Sequence, residues 1–460
     1  MISAIILSMD DAENFMLSTG RAVNEDGFVI PTKSTLVVVP STQLIDVWLS
    51  EIECHVAPNS MRTSGFHGTQ RKLQTKDYLA SDIVITTYST LVADHKSFRI
   101  LHSLNWFRIV LDEAHWIRNS SSEQFRAVNQ LQASRRWCLT GTPIQNRIED
   151  LGSLVAFLKT PPFNENPQTR FKQHVIGSLF SDVEDPCRDL RLLLQSLCLR
   201  RTKQTDHSIT VRPELVTLSL SPSEQMAYNG ILDKTRQEME MLVSNGLGNH
   251  KYTKLFTAMH QLLMLCEQGS CMIPEYSCNM GASDTELSTK LKALVESLTQ
   301  HVHTSKSIVF SYWTRTLDIP CPRLEDLGVH YVRVDGNVSR ADRTRRLAEF
   351  QSSPTIPVLL MTYGTGAVGL NLTAANRIHL LEPQWNPSVE EQAIGRAVRL
   401  GQAREITVIR YVMAHTVEEN ILAIQKNKQQ LANLTLENNS SESLAGRTEA
   451  SHNIRETFSF

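Results

Sequence analysis

Apolar residues along this chain gather into short continuous runs separated by helical spacings, and the runs fall into two groups. The first comprises Thr35–Pro40, Asp82–Ser89, Phe107–Asp112 and Arg136–Gly141; the second comprises Ser307–Tyr312, His330–Asp335, Pro357–Thr362, Arg377–Leu381 and Thr407–Val412. Runs that are apolar at consecutive rather than alternate positions need cover on both faces, as parallel strands between two layers of helices do. Two such groups predict an α/β protein with two parallel-sheet lobes. Residues 145–290, between the groups, read as mainly helical. Ser221-Pro222-Ser223-Glu224 supplies the N-cap, first-turn proline and N3 glutamate of a capping box, and Met226, Ile231, Leu232 and Met239 continue an amphipathic helix. At the N-terminus Ile2, Ile5, Ile6 and Met9 keep the i, i+3, i+4, i+7 spacing of a buried helix. Residues 433–460, rich in Asn, Ser, Glu and Thr, lack periodicity and read as a disordered tail. The expected division is a first lobe over 1–205, a helical linker over 206–289, a second lobe over 290–432 and the tail.

Composition adds limits. The 460 residues are 41% hydrophobic and 20% charged, a globular mix rather than a fibrous or disordered one. Lys+Arg 46 against Asp+Glu 48 gives a net charge of -2, which excludes a globally basic nucleic-acid binder but not local basic patches. Eight cysteines are scattered without framework spacing, which fits a reducing compartment. Cys266, Cys271 and Cys278 have no fourth ligand close by, which argues against a zinc site. No apolar run reaches the length of a membrane span. The apolar start carries no preceding basic residue and is followed by Asp10-Asp11, unlike a signal peptide.

Ligands of open α/β sheets bind beyond the carboxyl ends of the strands, so the residues after each run are the candidates for chemistry. Asp112-Glu113-Ala114-His115 places two adjacent carboxylates there. Phosphoryl hydrolysis uses one acid to hold Mg²⁺ through its water shell and a second to orient or deprotonate water, so Asp112 suits the first role and Glu113 the second. Thr140 and Thr142, with Asn146, lie on a polar turn that either senses a phosphate or is an ordinary turn. Tyr363–Leu372 is a glycine-rich loop, including Gly369, able to bring backbone N–H groups against phosphate. In Gln392–Gln402, Arg396 and Arg399 are three apart and expected on one helix face, either as arginine fingers or as structural partners of Glu390 or Glu391. Leu199–Lys203, and Arg333, Arg340, Arg343, Arg345 and Arg346, read as phosphate-backbone contacts or solvated faces. Trp385 reads equally as a nucleic-acid contact or as core.

Taken in order, Leu36–Pro40 with Trp48, Phe66–Gly68, Ile85–Tyr88, Asp112–His115, Leu139–Asn146, Leu199–Lys203, Ser311–Thr314, Asp335-Gly336, Gly369–Leu372, Trp385–Pro387 and Gln392–Gln402 resemble the Swi/Snf family of helicase-like, DNA-stimulated ATPases. The blocks look nearest to the branch of helicase-like transcription factor and the postreplication repair translocases. That resemblance implies two RecA-like lobes with ATP and Mg²⁺ between them and double-stranded DNA crossing both, in a nuclear protein that remodels nucleosomes or protein–DNA complexes. It implies catalytic roles for Asp112, Glu113, Arg396 and Arg399, and nucleotide contacts from Gly369 and Gln392. Pro40, Tyr88, Thr140, Thr142, Asn146, Arg200, Asn371 and Trp385 would bind or couple to DNA. A RING insertion is not supported, because 266–290 is too short and holds three cysteines. Three departures stand out. The family's G-x-G-K-T is absent ahead of the first helix, so the chain is expected to start one loop too late, and Ala367 and Val398 replace a common Gly and His. A catalytically impaired DNA- or chromatin-binding module is therefore the alternative, and an RNA helicase is a more distant one.

Overall fold

A computed structural model of the chain describes residues 1–19, 22–24, 27–68, 75–144, 147–179, 188–199, 210–244, 248–269, 287–366, 372–399, 402 and 404–436. Two compact units are built on residues 1–200 and 201–430. In the first, the strands are β1 Ala22–Asn24, β2 Gly27–Val39, β3 Thr63–Phe66, β4 Ile83–Thr87, β5 Leu104–Leu111 and β6 Gln132–Cys138. Their order is β3-β4-β2-β5-β6, every pair parallel, with β1 added antiparallel to β2. Val39 lies beside Thr87, Val38 beside Leu111, and Leu111 beside Cys138. The four strands therefore end together. β4 is buried at every residue and β5 at all but Asn105, as two-sided cover requires. One face packs Leu36, Val38, Val84, Trp106, Ile109 and Leu111 against helices that include Tyr88–His95 and Glu123–Asn129.

The second unit carries β7 Val211–Leu218, β8 Ser307–Ser311, β9 Tyr331–Val334, β10 Val358–Thr362, β11 Arg377–Leu380 and β12 Ile406–Met413. Their order is β7-β12-β11-β8-β10-β9, all parallel. Ile308, Phe310, Leu359, Met361, Ile378 and Leu380 face one core, while Val309, Leu360, Tyr411 and the helix Thr289–His301 form the other.

All nine sequence runs are strands. The described residues of 145–290 are mainly helical, but β7 lies among them and pairs with β12 over eight residues. The capping box forms: the Ser221 amide donates to Glu224 Oε2 at 2.8 Å, and the Glu224 amide to Ser221 Oγ at 3.3 Å. The buried face of that helix is Ala227, Tyr228 and Ile231; Met226 and Leu232 are exposed, because the face is set by Cys266, Met413 and Val417 packed against it. The N-terminal helix is shorter and less buried than its spacing predicts. The helix ends at Ile6, a second runs Met9–Ser18, and of the four spaced residues only Ile5 is buried. Ser8 closes the first helix by donating back to Ala4 and Ile5 carbonyls. At the other end, helix Val417–Leu436 takes in the first four residues of the expected tail, 433–436; residues 437–460 lie outside the described residues.

Candidate functional site

Because β2, β4, β5 and β6 are parallel and in register, Pro40, Tyr88, Asp112, Thr140 and Thr142 come to one edge of the first sheet. Asp112 is the centre of that edge. Its amide donates to Val38 O at 2.9 Å, which ties it to the end of β2. Its carboxylate accepts from Trp48 Nε1 at Oδ2, 2.9 Å, and from the Glu113 amide at Oδ1, 3.0 Å. Its carbonyl accepts from Tyr88 Oη at 2.9 Å. Hydrogen bonds to a charged acceptor contribute about 1.5–3 kcal/mol each, so the carboxylate is held in orientation as well as in place.

Glu113 adopts φ 48°, ψ 52°. This left-handed conformation costs a non-glycine residue about 1–2 kcal/mol and is stabilised by its surroundings. The Ala114 amide, next in the chain, donates to Leu139 O at 2.8 Å and pins the turn to the end of β6. Glu113 Oε2 lies 3.4 Å from His115 Nδ1, an ion pair whenever the imidazole carries a proton, but without hydrogen-bond geometry. Tyr88 is buried and stacks on Trp116 with ring centroids 5.9 Å apart and planes 8° from parallel. Burial, and then the charges of Cys138, Asp112 and Glu113, push its hydroxyl well above the usual phenol range, so it stays a donor. The Thr142 amide donates to Thr140 Oγ1 at 3.1 Å, which folds the polar turn. Two carboxylates at a strand end offer hard oxygen donors, the chemistry that fits Mg²⁺ held through water. Trp48, which aims one of them, stands in the sequence only as part of the block with Leu36–Pro40; its role has no local signature, since Asp112 is 64 residues away.

In the second unit, Asn386 caps the helix Pro387–Ile394 by accepting from the Ser388 amide, and Pro387 occupies the first turn. The helix stops at Gly395. Arg396 and Arg399 therefore do not share a helix face: Arg396 lies in a tight turn and Arg399 in the bend after it, both half-buried. Gly395 lacks a side chain to sustain the helix, and Leu372, at the far end of the glycine-rich loop, donates its amide to Arg396 O at 2.9 Å. Gln402 Nε2 adds bonds to Thr373 O and Ala375 O at 3.1 and 2.9 Å. The arginine segment and the residues after the loop are thus laced together. Gln392 is half-buried on the helix, and Trp385 is 41% exposed just before it, so its side chain is not core. Of the acids considered as structural partners of the two arginines, Glu390 Oε2 pairs with Arg410 at 3.0 Å, and Glu391 Oε1 accepts from Gln429 at 3.0 Å. Asn146, Arg200, Gly369 and Asn371 lie outside the described residues, as do Cys271 and Cys278. Cys266 is buried among apolar side chains, and burial pushes its thiol upward.

Four arginines of the 333–346 group, Arg333, Arg343, Arg345 and Arg346, are bound locally. Arg333 pairs with Asp335 and Asp318, Arg343 and Arg346 donate to backbone carbonyls, and Arg345 bridges Asp342 and Glu349. Sequence reading missed a buried charge network in this unit. Lys290 Nζ donates to Glu267 Oε1 and Glu418 Oε1, both at 2.6 Å, with all three side chains inaccessible to solvent. Glu418 Oε2 accepts the Met413 amide at 2.8 Å. Nearby Glu382 accepts the Tyr312 amide and Gln384 Nε2, yet burial dominates and pushes its carboxyl up to about 8. Burial likewise raises Glu267, against the pull of Lys290.

Residues 4–271 match the SNF2-related domain, and residues 289–401 match the helicase conserved C-terminal domain. The first match spans more than half of the chain. The chain belongs to the SNF2-related family. DNA repair protein RAD5A of Arabidopsis thaliana is 30% identical to this SNF2-family chain, covering 90% of it and 52% of its own length. Helicase-like transcription factor of Mus musculus is 28% identical, covering 87% of the chain and 50% of its own length. This SNF2-family chain spans about half the length of these curated relatives. Among solved structures, the "Sulfolobus solfataricus SWI2/SNF2 ATPase core in complex with dsDNA" covers 98% of the chain and 89% of its own, at 22% identity and a TM-score of 0.41.

Proposed function

We propose that this chain is the ATPase core of a double-stranded DNA translocase that remodels DNA-bound proteins or nucleosomes, acting in repair or transcription in the nucleus. The observation that carries this reading is the strand-end acid pair, with the Asp112 carboxylate held by Trp48 and the Glu113 amide, and Glu113 turned away from the strand by its left-handed backbone. Bound Mg²⁺ would neutralise charge on the phosphates of ATP. Asp112 would hold that ion through its water shell. Glu113 would orient a water for attack on the γ-phosphorus and take its proton as the bond to the ADP oxygen breaks. Arg396 and Arg399 would offset the charge that develops, while Gln392 and Gly369 contact the nucleotide. Pro40, Arg200, Asn371 and Trp385 would meet DNA, Tyr88, buried against Trp116 and bonded to the Asp112 carbonyl, would couple that contact to the acid rather than touch DNA itself, and Thr140, Thr142 and Asn146 would relay the state of the phosphate. The names of the relatives, a DNA repair protein and a helicase-like transcription factor, support the same direction.

The test is Mg²⁺-dependent phosphate release from ATP by the purified chain, with and without duplex DNA. Duplex-stimulated release that falls at least about a hundredfold in Glu113→Gln supports the reading; release unaffected by that substitution removes Glu113 from the chemistry. Stimulation by RNA and not by duplex DNA would favour an RNA helicase. A second reading rests on a specific observation: the 460 residues hold no G-x-G-K-T segment, the element that supplies a lysine to the β- and γ-phosphates. On that reading the chain binds duplex DNA without turning over ATP, and the same assay separates the two.

A further inference from the structure

We propose that Trp48 is a positioning residue for the Asp112 carboxylate and that, with Tyr88, it conveys DNA engagement at the ends of β2 and β4 to the magnesium-holding acid; this rests on the function proposed above.

Three contacts converge on Asp112 from three different elements. Trp48 Nε1 reaches Oδ2 at 2.9 Å from the second turn of helix Thr42–His55. Tyr88 Oη reaches the carbonyl at 2.9 Å from the first residue of helix Tyr88–His95. Val38 O holds the Asp112 amide at 2.9 Å from β2. Both helices begin at the strand ends where the candidate DNA contacts lie. The first starts two residues after Pro40, and the second starts on Tyr88 itself.

Neither helix can shift without moving its donor. Leu44, Ile45 and Ile52 are the buried residues of the first helix, so the half-buried Trp48 stands on a helix held by its packed face. Thr87 caps the second by accepting the Thr90 amide, and the buried Tyr88 ring is stacked on Trp116. At the junction before the first helix, Ser41 keeps its hydroxyl buried without a hydrogen-bond partner among the described residues. An indole N–H donates and cannot accept. It therefore fixes the carboxylate plane without taking over the acid's role, and a small displacement of the helix is felt at Oδ2 as a longer, weaker bond.

The experiment uses the 460-residue chain labelled with ¹⁵N-tryptophan, whose six tryptophans give six indole N–H signals. The Trp48 signal is assigned by its loss in Trp48→Phe, or in Trp48→Tyr if the first variant folds poorly. The signal is expected to move in Asp112→Ala. It is also expected to move when duplex DNA is added to the unsubstituted chain without nucleotide or metal. Mn²⁺-ATP binding, read by paramagnetic resonance of free Mn²⁺, is expected to weaken about tenfold in Trp48→Phe, with metal-free ATP binding unchanged. DNA binding with an unmoved Trp48 signal would overturn the proposal, and so would a Trp48→Phe chain that binds Mn²⁺-ATP as the unsubstituted chain does. Absence of DNA-stimulated phosphate release from the unsubstituted chain would count against the translocase reading alone, because the indole signal and the Mn²⁺ affinity do not depend on turnover.

Discussion

Lys290 carries its charge into an interior where Glu267 and Glu418 meet it, each at 2.6 Å. Lys290→Met would leave two buried carboxylates facing each other, a loss of about 3–5 kcal/mol. Urea unfolding followed in the second unit is expected to show that drop, and Glu267→Gln added to Lys290→Met is expected to recover part of it. Glu382 makes stability depend on pH. Its carboxyl is pushed by burial from 4.5 to about 8, so the folded state binds its proton more tightly than the unfolded chain does. Its contribution is therefore full below about 4.5 and is lost as pH rises through about 8. In Glu382→Gln, stability measured between pH 5 and 8 is expected to decline less than in the parent. None of this was legible in the sequence: Lys290 sits in a helical segment whose periodicity asks for an apolar residue, and its partners lie 23 and 128 residues away. The acid pair was legible, because adjacent carboxylates after an apolar strand are a local signal.

Elements were readable where burial is two-sided. Ile83–Thr87 and Val358–Thr362 are continuous apolar or hydroxyl-bearing runs, and every residue in them is buried. β3, with Thr63-Ser-Gly-Phe66, and β7, whose Val-Arg-Pro-Glu-Leu-Val-Thr-Leu is mostly exposed, are sheet edges and carry no such run. Pro213 inside β7 also argues against a strand from sequence alone; it is tolerated because an edge strand has one side without a ladder to donate to. The arginine segment went astray for a different reason. Its spacing is helical, but the helix ends at Gly395 and the backbone turns to meet Leu372. Since that turn, rather than a helix face, sets the two guanidiniums, their roles are separable. In a form that hydrolyses ATP, Arg399→Ala is expected to lower turnover about a thousandfold while ATP affinity changes only a few-fold, measured by phosphate release and nucleotide titration.

At the scale of the molecule, a net charge of -2 does not argue against DNA, because charge acts locally. The structure limits which arginines can be assigned to it, since most of the 333–346 group is already bound within its own lobe. Each unit has its own parallel sheet and apolar core, so heating is expected to give two calorimetric transitions, and Lys290→Met should lower only one of them. The placement of β7 has a further consequence during synthesis. Its partner strand, β12, leaves the ribosome about 190 residues later. At 5–20 residues per second this is roughly 10–40 s, during which Val211–Leu218 has no ladder to complete. Throughout that interval Pro213 and the polar residues of β7 do a second job: they make an unpaired strand a poor template for aggregation until its own sheet arrives.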